Sequence, residues 1–288
     1  MTFLHFKPEI WSAELLVALE KTLIYGGPQV VNHDYEGDIS NAGDTVRITS
    51  ISDPTINTYI PGSTVINPEQ LTDAQRTLVI DQSKYFAFEV DDVDTRQIAG
   101  NVMTTAAERA AYRLADTIDQ YLASFYTQAN VANTLGSTGS PITISSAASS
   151  TDAYSKVLVP LRTALTKANV PTMGRYVIGS PEFIGALLQD GRLIKANESG
   201  DTTALRNGHI GRLAGFDIFE SNNVPVPTTG VAALTAGVSS AISMATQINK
   251  VEAYRPQDSF SDALKGLNLY GAKVVRPEAL GVAYVAVS

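Results

Sequence analysis

The 288-residue sequence predicts an α+β fold, and three observations support that class. Apolar residues recur at helical spacing through residues 92–129. A β-patterned stretch precedes them at 44–90, and short helix and strand signals alternate between 130 and 250. A composition of 44% hydrophobic and 17% charged residues supplies a sizeable core and excludes a natively unfolded chain.

Taken in order, residues 8–23 read as a short amphipathic helix. Trp11, Leu15, Ala18, Leu19 and Leu23 share a face, Pro8 suits a first helical turn, and Gly26-Gly27-Pro28 ends it. With polar residues following to Gly43, this helix has little of its own to pack against and is expected to dock on something distant or on another chain. From 44 to 90 the pattern is strand. Residues 45–49 and 77–80 alternate, Tyr85-Phe86-Ala87-Phe88 is densely aromatic, and Asp53-Pro54, Pro61-Gly62 and Asn67-Pro68 mark turns. The simplest reading is one long β-hairpin with an irregular tip. Because a two-stranded ribbon is marginal in water, it must lie on its own domain or reach a neighbour.

In 92–129, Ile98, Val102, Ala106, Ala110, Leu114, Ile118, Leu122 and Phe125 form one ridge with no proline. Some 35 helical residues would make a rod of about 50 Å. Asp92, Asp94 and Thr95 are candidate caps, and Arg113 can pair with Asp116 one turn away. Alanines at 106, 107, 110, 111 and 115 keep the mid-section slim, so a sheet or backbone can approach closely. Residues 135–151 form a Ser/Thr/Gly-rich connector. Residues 152–168 are helical despite Pro160, 175–178 are a buried strand, and Ser180-Pro181 opens a helix ended by Gly191. A strand at 216–219 precedes an Asn222-Asn223 turn, and two more strands, 269–275 and 282–287, flank Pro277.

Signatures of chemistry are missing one by one. There is no cysteine, hence no thiolate metal site or cysteine nucleophile. His5, His33 and His209 lie far apart, none with a metal-ligand partner at helical spacing. Ser180 sits where a nucleophile elbow would, but Ile-Gly-Ser-Pro-Glu lacks the second glycine, and a helix N-cap explains it. Asp91, Asp92 and Asp94 lack the glycine and distal glutamate of a calcium loop and fit a helix start. Residues 266–273 miss the phosphate-loop spacing and hydroxyl, and Gly208, Gly211 and Gly215 miss the dinucleotide fingerprint. No apolar run reaches the ~18 residues of a membrane span, and Glu9, Glu14, Glu20 and Lys21 interrupt any N-terminal targeting core. With 29 acidic and 21 basic residues the net charge is −8, without the basic excess of a non-specific nucleic-acid binder. No catalytic residue, cofactor or metal site is assigned, and the pattern favours shape over catalysis. A hydrolase or transferase would instead show a deep pocket with perturbed carboxylates in a monomer. A phage tail or adhesin component fits the Ala-rich helix poorly.

Three strings carry a family resemblance: LTKANVPTMGRYVIGSPEF (165–183), GRLAGFDIFESNNVP (211–225) and LNLYGAKVVRPEAL (267–280). With the order of the elements, they resemble the major capsid (coat) protein of tailed bacteriophages, the Hong Kong 97-type fold, over nearly the whole chain. That resemblance implies an N-terminal arm at 1–43 lying across a neighbouring subunit and an extended loop at 44–90 reaching over another. It implies a spine helix of the peripheral domain at 91–129, an axial domain at 130–250, and closing strands at 251–288 that return to the peripheral domain. It also implies many copies of the chain, as pentamers and hexamers, around packaged double-stranded DNA bound without sequence specificity. Further implied partners are a separate scaffolding protein, a portal and a decoration protein. Neither a membrane nor a cofactor is implied; the place is the virion capsid, assembled in the host bacterial cytoplasm. Candidate inter-subunit contacts are Trp11, Arg47, Tyr59, Arg76, Glu89 and Arg109. The fold begins within ten residues of Met1, so no large N-terminal segment is expected to be removed. No lysine lies between Lys21 and Lys84, so the loop tip has no amine for a cross-link and a non-covalent shell is expected. The same fold also serves encapsulins, bacterial compartment shells that enclose enzymes, and this remains the competing expectation.

Overall fold

The computed structural model describes residues 24–34, 45–51, 55–58, 61, 73–91, 102–147, 150–190, 211–258 and 261–288. The helix expected at 8–23, the caps Asp92, Asp94 and Thr95, and the helix stop at Gly191 lie outside them.

Two strands open the described fold. β1 (Thr45–Ile51) and β2 (Asp73–Val79) pair antiparallel, Thr45 opposite Val79 and Ile51 opposite Asp73. Among the described residues of 44–90, only this part is a hairpin. β3 (Gln82–Asp91) leaves it and pairs antiparallel with β11 (Ser261–Val274), which pairs in turn with β10 (Ile242–Tyr254). The expected single long hairpin is thus corrected to a ribbon plus a strand of another sheet. The reason is burial: Phe86 and Phe88 alternate onto a face that a lone ribbon would leave in water.

That face is covered by α1 (Val102–Ala123). Ala107 and Ala111 pack with Val251, Leu264, Phe86 and Phe88, and Leu114 and Ala115 pack on Phe86. Small side chains let helix and sheet approach closely, as the alanine run predicts. The buried stripe runs Ala111, Leu114, Ala115, Ile118 and Leu122, whereas Ala106 and Ala110 of the expected ridge are only half-buried. At ~1.5 Å per residue these 22 residues span about 33 Å. The last expected turns tighten into a 3₁₀ segment, Ser124–Gln128, so regular α-helix ends before Ala129. Asp116 does not take Arg113: its carboxylate accepts from Gln120 and from Asn223, because the loop at 221–223 comes to that side of the helix.

The larger, seven-stranded sheet holds the main core. Its order is β4 (Thr134–Leu135), β12 (Leu280–Val287), β9 (Ala232–Val238), β6 (Arg175–Gly179), β8 (Phe216–Glu220) and β7 (Arg212–Leu213), with β5 (Ile142–Ile144) also on β12. β12 therefore does not return to the smaller sheet as expected for 251–288. Its small, apolar residues pair with β9, and Gly281 lets Leu161 and Leu165 approach. Conversely, β10 begins at Ile242 inside the range expected for the axial domain, yet belongs to the smaller sheet.

The helix expected at 152–168 divides at Pro160. A π-helical segment, Ala153–Leu158, leads into α2 (Val159–Lys167), the wider turn accommodating a residue that has no N–H to donate. α2 ends in a Schellman arrangement. Asn169, at φ 57°, donates its N–H to Thr166, and the Val170 N–H reaches the Leu165 carbonyl. Arg175, 1% exposed, then caps this end. Its guanidinium donates to the carbonyls of Val170 at 2.6 Å, Pro171 at 2.8 Å and Arg162 at 3.4 Å, and to the Thr166 hydroxyl at 3.1 Å. After β6, the Ser180 hydroxyl accepts from the Phe183 N–H and Pro181 opens α3 (Pro181–Leu188), as expected. Ala214 and Gly215, both at positive φ, form the two-residue turn between β7 and β8.

Two stability predictions follow from this packing. Arg175→Met leaves four acceptors without their donor and is expected to cost roughly 3 kcal/mol in thermal or denaturant unfolding, with Arg175→Lys recovering only part because an ammonium cannot fork. A Cβ at Gly271 would lie 2.4 Å from the Val79 carbonyl oxygen and 2.8 Å from the Ile80 Cα. Gly271→Ala should therefore destabilise by about 2 kcal/mol or more, while Gly185→Ala, with open space and a helical backbone, should stabilise by ~0.5–1 kcal/mol in the same assay.

Candidate assembly surfaces

The hairpin of β1 and β2 is rooted on this chain but extends beyond its core. Leu78 and Ile80 are buried with Ala245 and Leu269, whereas Thr77 and Val79 face solvent. Farther out, residues 55–58 are all exposed, Ile56 at 94%. An isoleucine so placed gains nothing within its own subunit.

The second surface is the face of the smaller sheet turned away from α1. Tyr85 is 79% exposed and Tyr254 45%, with Ala87 and Leu267 beside them. Lys265 bonds Glu252 at 2.9 Å, and its ammonium sits 5.1 Å from the centre of the Tyr254 ring. That bond to Glu252 raises the lysine pKa, so the cation is retained. Tyr85, Ala87, Glu252, Lys265 and Leu267 border a shallow groove of ≈ 430 Å³. On this face the Lys265–Glu252 pair starts from the central strand, with the apolar surface of Tyr85, Ala87, Tyr254 and Leu267 around it, a mixture of apolar area and charge found in protein contacts.

The third feature is a joint at the segment 24–34. Tyr25, Val30 and Val31 are buried in the main core, and Asn32 forms a bridge with β10, its N–H donating to Ile242 and its carbonyl accepting from Met244. The stretch 24–34 of the expected arm is therefore built into its own subunit. The neighbouring parts, 1–23 and 35–43, lie outside the described residues. Asp119 holds one end. It is 3% exposed, its Oδ1 accepts the N–H groups of Ile24 at 3.0 Å and Tyr25 at 2.8 Å, and the Gly26 amide also donates to it. Asn223 Nδ2 donates to Asp119 Oδ2 at 3.2 Å and to Asp116 Oδ1 at 2.8 Å. Burial pushes the Asp119 carboxyl above the usual carboxylate range, partly offset by Asn223 and the three backbone donors.

The sequence-derived contact candidates do not gather at one of these surfaces. Arg47 lies in β1 opposite Thr77, and Arg76 lies in the next pair, opposite Ile48. Arg76 is exposed and reaches the Val274 carbonyl at 3.4 Å, at one end of β11. Glu89 is exposed and accepts from the Ser261 hydroxyl at 3.3 Å, at the other end. Thirteen residues of strand at ~3.3 Å each separate those ends by roughly 40 Å, so Arg76 and Glu89 do not meet within one chain. Arg109 is exposed on α1, and Trp11 and Tyr59 lie outside the described residues. Sequence reasoning missed Tyr85, Tyr254 and Leu267, although strict alternation from Phe86 and Phe88 would have turned Tyr85 outward. It also missed Asp119, whose signal was an acid in the stripe between Ala115 and Leu122. Among the described residues, no group of three His, Asp or Glu side chains is placed to hold a metal ion.

Comparison with known proteins bears on this arrangement directly. The phage capsid protein family matches residues 73–285, most of the chain. A structure from Mycobacterium phage Che8 is 36% identical, with a TM-score of 0.68 over 88% of both chains. The capsid of cyanophage P-SCSP1u is 22% identical, with a TM-score of 0.63 over 87% of this chain and 85% of that one. A virus-like particle from Pyrococcus furiosus shares the fold at 14% identity, with a TM-score of 0.55 over 96% and 98%. A search of curated proteins finds no match. A hairpin projecting from a small helix-backed sheet, beside a larger mixed sheet, is the α+β Hong Kong 97-type arrangement, and this chain belongs to the phage capsid protein family.

Proposed function

We infer that many copies of this major capsid subunit tile, as pentamers and hexamers, into an icosahedral shell around a double-stranded DNA genome. The observation that carries this reading is the exposed hairpin: a two-stranded ribbon with Ile56 in solvent becomes stable only by burying surface elsewhere. The sheet face with Tyr85, Tyr254 and Leu267 is a matching receptor surface on a sister subunit. Closed symmetry repeats each modest contact over many copies, so weak pairs sum to a lasting wall. A net charge of −8 suits a container that encloses DNA without adhering to it.

In this reading, residues 1–23 form the arm, 24–34 its root, 45–79 the extended loop, the smaller sheet with α1 the peripheral domain, and the larger sheet the axial domain. Arg47, Arg76, Glu89 and Arg109 serve as partners across subunits. The role is structural, without catalysis. A scaffolding protein, a portal and a decoration protein are the partners such a shell would use, and assembly takes place in the host bacterial cytoplasm, ending in the virion. An enzyme-enclosing compartment is the competing reading, supported by the likeness to the Pyrococcus furiosus particle, which carries the fold alone.

Electron microscopy and light scattering of the expressed chain provide the test. Closed particles of uniform size are expected, containing DNA when isolated from infected cells. A stable monodisperse species near the 30.7 kDa of one chain would end the shell reading, and purified native shells filled with an enzyme would favour the compartment. Ile56→Asp and Tyr85→Asp alter exposed side chains, so both variants should unfold at the wild-type temperature yet lose about tenfold or more in yield of closed particles. Wild-type assembly by both variants would remove these surfaces from the contact.

A further inference from the structure

We propose that Asp119 is the positioning residue of a joint that fixes where the chain's N-terminal segment and its hairpin leave the body. Segment 24–34 lies between the first 23 residues and the hairpin that starts at Thr45. Its far end is pinned by Asn32 on β10, and its near end by the Asp119 carboxylate, with the Tyr25 ring buried in the core beside it and His33 Nε2 2.7 Å from the Gly26 carbonyl oxygen. Three consecutive backbone amides converge on that carboxylate from residues 24–26, and a fourth donor arrives from Asn223, just beyond β8.

The one side chain therefore ties together the helix that backs the smaller sheet, the loop leaving the larger sheet, and the root segment. None of the four donors is a cation, so burial of the charge is compensated only by oriented amides. An apolar residue in this helical stripe would avoid that cost; what it could not do is gather four N–H groups at one point. Among the described residues, the titratable groups around Asp119 and the three amides are Asp116 and Tyr112 of the helix and Tyr25 and His33 of the root, His33 through the Gly26 carbonyl, while the loop 221–223 contributes none. A small cleft of ≈ 130 Å³, bordered by Tyr112, Asp116 and Asn223, brings solvent to its rim, so the joint can open without unfolding the domain. The consequence for assembly rests on the shell reading. The joint itself does not.

Hydrogen exchange on the full chain tests it. Asp119→Ala should speed exchange at Ile24, Tyr25 and Gly26 by about tenfold or more, leaving the Asn32 and Met244 amides at wild-type rates. Wild-type protection at 24–26, or equal loss through β6 and β9, would overturn the proposal. Should Asp119→Ala be insoluble, Asn223→Asp decides. It sets a third carboxylate against Asp116 and Asp119, which should lower the protection factors of residues 24–26 in neutral solution and restore them in acid, where neighbouring carboxylates share a proton. Protection factors, corrected for the intrinsic pH dependence of amide exchange, that are the same in neutral and acid solution in that variant would refute the joint. In electron micrographs, Asp119→Ala should give irregular or open particles where wild type gives closed ones, and normal shells would remove the assembly consequence. A wild type that forms no shells would refute the shell reading, while the exchange data would still judge the joint.

Discussion

Strand β11 is the member on which the smaller half of the molecule is built. Its fourteen residues hydrogen-bond β10 on one side and β3 on the other, and Leu264 meets the slim alanine face of α1. Near its end, Gly271 lets the backbone of Val79 and Ile80 cross at a distance that any side chain would forbid. The hairpin root, the helix and two strands thus share one ladder. Between Ala263 and Tyr270 it is paired on both sides, so the ribbon gains a foundation that two strands alone cannot supply.

A different solution operates in the larger half. There, β6 is buried along all five residues, and Arg175 at its start is buried with them. A guanidinium without a carboxylate is tolerated because it faces the C-terminal end of α2, where free carbonyls and the helix dipole favour a cation. Asp119 mirrors this, a carboxylate with backbone amides in place of a cation. Both charges are stabilised by the chain's own peptide dipoles, which makes them specific to one backbone geometry. Each therefore acts as a lock on the local fold more than as a source of net stability.

Outside these two cores, several apolar side chains face outward. Ile56, Tyr85 and Tyr254 expose apolar surface that a solitary subunit would do better without, and the family to which the chain belongs supplies the reason. For a capsid protein the working property is shape: a folded body from which a hairpin projects.

Local physical chemistry made much of this legible in advance. The helical stripe near Leu114–Leu122, the Ser180-Pro181 helix start, the buried strand before it and the β-rich stretch at 45–90 all depend on neighbours within a few residues, where periodicity and capping act. The order of those elements was also enough to suggest the family. What local pattern does not encode is pairing between distant segments. Phe86 and Phe88 could have faced a hairpin partner or a remote strand, and β12 could have joined either sheet. Only the folded core decided, because burial is a property of the whole surface rather than of any window. The same holds for Asp119. Sequence shows an acid on an apolar stripe, but its partners stand some 95 and 104 positions away, and only their meeting in space turns a costly charge into a joint.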